Sequence, residues 1–270
     1  MKMAIHTALT IAGTDPTGGA GVQADLKTFQ EREVFGMSVI TSVLAQNTTG
    51  VQMINHMPLD LIQAQLDSVL TDIPPSAVKT GMIATPEMME ALVDCLQAID
   101  VPYICDPVMI AKSGDPLMDE HSRKSLRETL VPLATIVTPN IPEASDLIEM
   151  KIETVADMEK AAKLIVNELG AKAAVIKGGY RTDHSTDVLF SNQTMTHLHA
   201  DRTNTKHLHG TGCTFSAAIT AELAKGKSIE EAVSIGKAFI TDAISYTLNL
   251  GSGNGPTNHW GFRLKGLPGK

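Results

Sequence analysis

His209-Gly210-Thr211-Gly212-Cys213-Thr214-Phe215-Ser216-Ala217-Ala218 is a glycine-rich turn running straight into an Ala-rich segment. The composition predicts a helix through about Leu223. Two glycines at this spacing let the backbone bend sharply and bring its N–H groups close to a ligand. The first N–H groups of a helix lack internal partners, and with the positive end of the helix dipole they make an anion site. Cys213 would stand at that helix start, where a thiol pKa is lowered and the group can act as base or nucleophile. The same stretch also reads as a tight turn before a buried helix, with Cys213 a small buried hydrophobe. The company it keeps decides between the two.

Outward from this turn, strand-like and helix-like segments alternate. Ala8–Ala12, Met37–Ala45, Ala77–Thr80, Tyr103–Cys105, Thr135–Val137 and Ala173–Lys177 read as strands. Gly21–Glu33, Leu59–Leu70, Pro86–Ile99, Glu143–Ile148 and Val155–Leu169 read as helices, with Thr154 as an N-cap of the last. Asp187–Phe190 and Thr194–His199 read as a hairpin around Ser191-Asn192-Gln193, and a long helix follows over about Ile229–Leu248, capped by Ser228. This alternation predicts an α/β fold with βαβ units and a mostly parallel sheet covered on both faces. Ligands of such sheets bind beyond the carboxyl ends of the strands, so the residues that follow each strand are the candidates.

Bulk properties narrow the function classes. The chain has 270 residues and 43% hydrophobic content, without a linker-like, charge-block or repeated segment, and is expected to form one domain over 1–270. No signal pattern or membrane-length apolar run is present, and three cysteines do not suggest a disulfide framework. A soluble cytoplasmic protein is expected. The net charge of −8 argues against nucleic acid as a partner. A nucleotide would need local donors or a metal ion to offset the global repulsion.

The first strand is followed by Gly13-Thr14-Asp15-Pro16-Thr17-Gly18-Gly19-Ala20-Gly21-Val22-Gln23-Ala24-Asp25. Gly19–Ala24 matches the dinucleotide pattern G-x-G-x-x-A, but the turn is long and no acidic residue ends the second strand, only Gln46-Asn47. A flexible substrate-binding turn is the alternative, with Asp25 one helical turn in, or else a solvated carboxylate on a helix face. Gln46 offers a donor and an acceptor, which suits a small heterocycle with an amino group beside a ring nitrogen; it also reads as a turn residue. Met82, after Thr80-Gly81, would wall a flat ligand or fill the core. Asp106 ends a strand where Mg²⁺ is commonly held by one or two carboxylates and phosphate oxygens. Lys112 lies in a loop, Ala111–Pro116, that would close over phosphates, although alone it reads as a surface lysine. Asn140 and Glu143, three apart across a helix start, point at one metal–phosphate cluster or form an N-cap with an acidic first turn. Lys177 would lend a phosphate a positive charge. His197, His199, His207 and His209 carry no accompanying metal motif and read as surface or turn histidines. There is no Walker-type phosphate loop and no G-x-S-x-G nucleophile elbow.

Taken together, Thr10–Asp25 (TIAGTDPTGGAGVQAD), Gln46–Val51 (QNTTGV), Lys79–Met82 (KTGM), Asp106–Met109 (DPVM), Thr138–Glu143 (TPNIPE), Lys177–Gly179 (KGG) and His209–Ser216 (HGTGCTFS) resemble the hydroxymethylpyrimidine/phosphomethylpyrimidine kinases of thiamine synthesis, within the ribokinase-like superfamily. The resemblance spans nearly the whole chain. It implies a three-layer α/β/α domain, ATP and Mg²⁺ as cofactors, and a homodimer. It implies that Gln46 bonds the aminopyrimidine, with Gly13, Asp25, Met82 and Val108 around the ring. Asp106 and Glu143 would serve the metal, Glu143 with Asn140 in an N-x-x-E motif. Gly210, Thr211 and Gly212 would form the anion hole, and Cys213 stands where related sugar kinases carry a catalytic aspartate. The sister group of pyridoxal kinases is the alternative. Some of its members carry a cysteine at the position of Ala111, and they tend to have Met-Asp where this chain has Gln46-Asn47. A non-catalytic binder and a nicotinamide-dependent oxidoreductase are the remaining readings.

Overall fold

The computed structural model describes residues 5–111, 114–178 and 184–264. Within them the strands are β1 (Thr7–Gly13), β2 (Phe35–Asn47), β3 (Gly50–His56), β4 (Ala77–Thr80), β5 (Tyr103–Cys105), β6 (Ile136–Val137), β7 (Ala173–Ile176), β8 (His184–Ser191) and β9 (Thr194–Asp201). They form one sheet in the order β3-β2-β1-β4-β5-β6-β7-β8-β9. From β2 through β7 the neighbours are parallel, and β3, β8 and β9 extend the sheet antiparallel at its two sides.

The helices are α1 (Gly21–Glu31), α2 (Leu59–Asp72), α3 (Pro86–Ala98), α4 (Glu120–Ser125), α5 (Ile141–Leu147), α6 (Val155–Asn167), α7 (Thr211–Ala224), α8 (Ile229–Ser245) and α9 (Gly261–Leu264). Successive strand residues point to opposite faces, and each face meets a different helix layer. Leu9, Ile11, Val78, Cys105 and Val137 pack with Ile62 of α2, Leu92 of α3, Leu147 of α5 and Ala161 of α6. Ala8, Ala77, Ile104, Ile136 and Val175 pack with Phe29 of α1, Ala217 and Ile219 of α7, and Val233 of α8. This is a three-layer α/β/α arrangement. α7 is apolar all round because it lies against β1, β4 and β5 on one side and between α1 and α8 on the others.

Three expectations are corrected. The sequence reading contains no β3; the strand pairs antiparallel with β2 and is largely exposed, so no buried periodicity marks it. It also lacks the short α4, which is continued by π-helical and 3-10 turns over residues 126–133. The long helix α8 ends at Ser245 rather than Leu248. The hairpin forms, with Asn192 and Gln193 at φ 49° and 60°, the left-handed pair a two-residue hairpin turn requires.

Candidate functional site

The carboxyl ends of the parallel strands open onto a cavity of about 670 Å³, which also reaches β8, β9 and α8. Its wall includes Gly13 after β1, Gln46 near the end of β2, Gly81 and Met82 after β4, Asp106 and Val108 after β5, Asn140 and Glu143 after β6, and Lys177 after β7. Gly210, Thr211, Gly212 and Cys213 close it from the start of α7. The expected strand-end residues are therefore brought to one place, although they come from all along the chain. At one end Gly13 keeps room beside Met82: a Cβ there would lie 2.7 Å from Met82 Cε. Beyond Lys177 the wall passes to Ser185, Asp187, residues 200–205, Lys237, Ile240 and Thr241. Lys237 Nζ holds Asp187 Oδ2 at 2.8 Å and so ties α8 to β8 along this wall.

In the middle lies an acidic pair with one lysine. Asp106 is 1% exposed. Its Oδ1 accepts from Lys177 Nζ at 3.2 Å and Thr138 Oγ1 at 3.1 Å, and its Oδ2 from Ser216 Oγ at 2.9 Å. Burial opposes its ionisation, but Lys177, Lys79 and Ser216 outweigh burial and hold the carboxyl below its usual range. Asn140 and Glu143 form a reciprocal capping box on α5, at 2.8 and 2.9 Å. Glu143 is pushed up to about 7, by burial first and by Asp106, against Lys177 and the Asn140 and Met109 amides. The capping and ligand readings of Glu143 are thus compatible: the cap uses one oxygen and fixes the carboxyl at the cavity wall. The donor set suits a small hard cation. Two carboxylates face one cavity, their mutual repulsion is incompletely cancelled, and Asp106 Oδ2 keeps an accepting lone pair.

Above this pair, Gly210 adopts φ 78° as the N-cap of α7. A Cβ on it would lie 1.7 Å from the Gly19 carbonyl oxygen, and one on Gly212 would lie 3.2 Å from Lys177 Nζ. The turn is glycine because two groups approach its backbone closely. The helix start lines the cavity with Lys177 beside it, and within the turn the Thr211 N–H donates to the Leu208 carbonyl at 3.3 Å. Cys213 behaves differently from the expectation of a lowered thiol pKa. Burial pushes it up to about 12, and Asp25 and Asp106 add to the rise, while Lys79 and the Gly21 amide oppose it. Burial, the largest cause, decides the direction.

Asp25 is the second correction. The sequence places it at the ring, but it is fully buried and does not line the cavity. Its Oδ2 accepts from Thr10 Oγ1 at 2.6 Å and Lys79 Nζ at 2.9 Å. Lys79 is the residue that reaches the wall in its place, and sequence reasoning passes it over as a strand residue. Burial works against the Lys79 charge, but Asp25, Cys213 and Asp106 outweigh it and keep the amine protonated. Burial leaves the Asp25 carboxyl above its usual range. A lysine inside the apolar run Ala77-Val78-Lys79-Thr80 is the available signal, since a buried lysine needs a buried partner.

Sequence reasoning also misses Asp15. It is fully buried, and its carboxylate accepts from the backbone N–H groups of Thr17, Gly19 and Ala20, at 2.9, 3.0 and 2.8 Å. This answers the dinucleotide pattern: the amides that would cradle a pyrophosphate are already bonded to Asp15. The histidines separate. His197 bonds Glu159 at 2.8 Å and stacks on His199, whereas His209 bonds Asp15 at 2.8 Å and His207 is buried. Lys112 lies outside the described residues.

Residues 15–258 match the family profile described as phosphomethylpyrimidine kinase. The chain is 51% identical over 261 residues to the hydroxymethylpyrimidine/phosphomethylpyrimidine kinase of Staphylococcus aureus strain MSSA476, covering 96% of this chain and 95% of the relative. Among solved structures it is similar to Bacillus subtilis pyridoxal kinase in an ADP complex, with TM-score 0.90 and 42% identity over 97% of this chain and 100% of the other. It is also similar to the phosphomethylpyrimidine kinase of Clostridium difficile 630, with TM-score 0.79 and 42% identity over 88% of this chain and 99% of the other.

Proposed function

The chain belongs to the phosphomethylpyrimidine kinase family, and from that premise we propose that it transfers the terminal phosphoryl group of ATP to the CH₂OH of 4-amino-5-hydroxymethyl-2-methylpyrimidine, then a second one to the resulting monophosphate. One observation carries this reading: the glycine turn into α7, Lys79, Lys177, Asp106 and Glu143 border one cavity whose far end is apolar and carries the Gln46 amide. Phosphoryl transfer needs positioning and charge neutralisation more than covalent help, and these are the groups that supply them.

In this reading Gln46 bonds the aminopyrimidine edge, and Gly13, Met82 and Val108 border the ring. Asn140 and Lys177 serve the phosphates of ATP. The Gly210 and Gly212 amides receive the transferred group, where fixed donors act most strongly because they need no reorganisation, while the Thr211 N–H is held by the Leu208 carbonyl and closes the turn. Asp106 and Glu143 would hold Mg²⁺, which when bound neutralises phosphate charge. Cys213 faces the substrate hydroxyl as proton acceptor. With its pKa near 12 in the free protein it is a thiol at neutral pH, so it can take the hydroxyl proton only after giving up its own to solvent, a loss that bound Mg²⁺ would favour. The wall of β8, β9 and α8 takes the adenosine. ADP in the similar Bacillus subtilis structure supports ATP as the donor.

A homodimer in the cytoplasm completes the proposal. The exposed apolar Phe35, Val43 and Met53 of β2 and β3 support association, and light scattering on the purified protein tests it.

The similarity to pyridoxal kinase structures favours one second reading, phosphorylation of pyridoxal or pyridoxine. Ala111 and Gln46-Asn47 argue against it as the main activity. The deciding experiment is ADP release with Mg-ATP and each of hydroxymethylpyrimidine, its monophosphate, pyridoxal and pyridoxine. Turnover of both pyrimidines with little on pyridoxal is expected. Turnover of pyridoxal alone would overturn the proposal in favour of the sister activity.

A further inference from the structure

We propose that Asp15 and His209 act as a positioning pair, which clamps the anion-binding turn to the substrate loop. The inference rests on the kinase reading above and concerns two residues to which that reading gives no role.

Two sets of contacts carry it. His209 Nε2–H donates to Asp15 Oδ2 at 2.8 Å, across 194 residues of sequence, and both side chains are nearly buried. The same Asp15 carboxylate holds the Gly19 and Ala20 amides, and the Gly19 carbonyl is the group against which Gly210 packs. One carboxylate therefore grips both walls of the seam between loop and turn. The seam is anchored from behind as well: the His209 N–H donates to the Gly255 carbonyl, and the His209 carbonyl accepts from Thr257 N–H. With its backbone fixed and its ring bonded to Asp15, His209 leaves Gly210 one position to occupy.

Asp15 therefore sets where the anion-binding turn, and with it the phosphate, sits. An anchor one ångström out of place is costly in a reaction that depends on alignment.

The test is steady-state kinetics on His209→Ala, His209→Gln, Asp15→Asn and the double variant Asp15→Asn/His209→Ala, with thermal unfolding of each. Glutamine can present an N–H where the imidazole Nε2–H stood. The pair predicts a kcat loss of roughly 10- to 100-fold for His209→Ala, as for a lost buried bond to a charged group, with the KM for Mg-ATP nearly unchanged. His209→Gln should recover most of that loss. Asp15→Asn should lower kcat in the same range, because the new side-chain amide can no longer accept from both His209 and the loop amides. The double variant should be little worse than the poorer single one, since both break one unit. Parent-like kcat in His209→Ala, a glutamine variant as poor as alanine, or losses that multiply in the double variant would overturn the pair. A parent that turns over neither pyrimidine overturns the kinase reading and this inference with it, whereas an active parent with the wrong variant pattern overturns the inference alone.

Discussion

Glu143 shows how the free protein stores charge that its ligands relieve. Its pKa of about 7 stands above the ordinary glutamate value of 4.5, so the folded state binds a proton that the unfolded state has already lost between those values. The group therefore costs stability as pH rises from about 4.5 through 7, and the full cost remains above 7. Glu143→Gln removes that cost and keeps an oxygen for the Asn140 amide, so the free variant should melt higher than the parent at pH 8 and about equally at pH 5. It should also lose most activity, about 100-fold or more, if Glu143 serves the cation. Parent activity below pH 7 should recover as Mg²⁺ is raised, because cation and proton compete for the same carboxylate. An identical acid limb at all Mg²⁺ concentrations contradicts this. Cys213 gives a second check. Its raised pKa leaves almost no thiolate at pH 7.5, so iodoacetamide should alkylate it at least 10-fold more slowly than a free cysteine of pKa ~8.5, as followed by peptide mass spectrometry. Rapid alkylation of the free protein would refute the field described here. At this scale Gln46, Asp106, Asn140, Glu143 and Lys177 are legible because each follows a strand. Asp15 and Lys79 are not, because an aspartate in a glycine-rich loop reads as a turn former and Lys79 gains its meaning from Asp25, 54 residues away.

At the scale of elements, the turn into α7 carries the most constraint. Gly210 combines a positive φ with contact to the backbone of Gly19, so Gly210→Ala needs both a strained conformation, at about 1 kcal/mol or more, and a shift of the neighbouring loop. It should lower the melting temperature by several degrees and abolish turnover. Gly212→Ala meets the flexible end of Lys177 at 3.2 Å and Asp106 Oδ2 at an ordinary 3.8 Å, so it should melt close to the parent and still lose activity, because the methyl group crowds the lysine at the anion site. Equal thermal losses in the two variants, read by calorimetry, would contradict this division. The glycine turn and the apolar helix behind it are legible from composition, as are the long strands. β3 and α4 are not: β3 buries little and is specified by pairing with β2, and α4 has only six residues. In both, tertiary contacts replace the periodic signal that a sequence offers.

For the whole molecule, the parallel core of the sheet explains why a site scattered over residues 13–213 becomes one cavity. Every strand from β1 to β7 except β3 delivers its carboxyl end to the same rim, and α7 lays its N-terminus across them. The fold class follows from alternation alone, since βαβ units admit few arrangements. The specific chemistry does not follow from any one stretch; it comes from the strand ends taken together. The net charge of −8 requires that phosphates be met locally, and in the proposed reading Lys177 and the start of α7 meet them. In the proposed function this one cavity performs two successive phosphoryl transfers on one pyrimidine. Incubation of the purified protein with Mg-ATP and hydroxymethylpyrimidine monophosphate, with the products followed by mass spectrometry, puts the second transfer to the test. The pyrimidine diphosphate and ADP are expected in equal amounts, while recovery of unchanged monophosphate from a protein that phosphorylates pyridoxal would contradict the two-step reading.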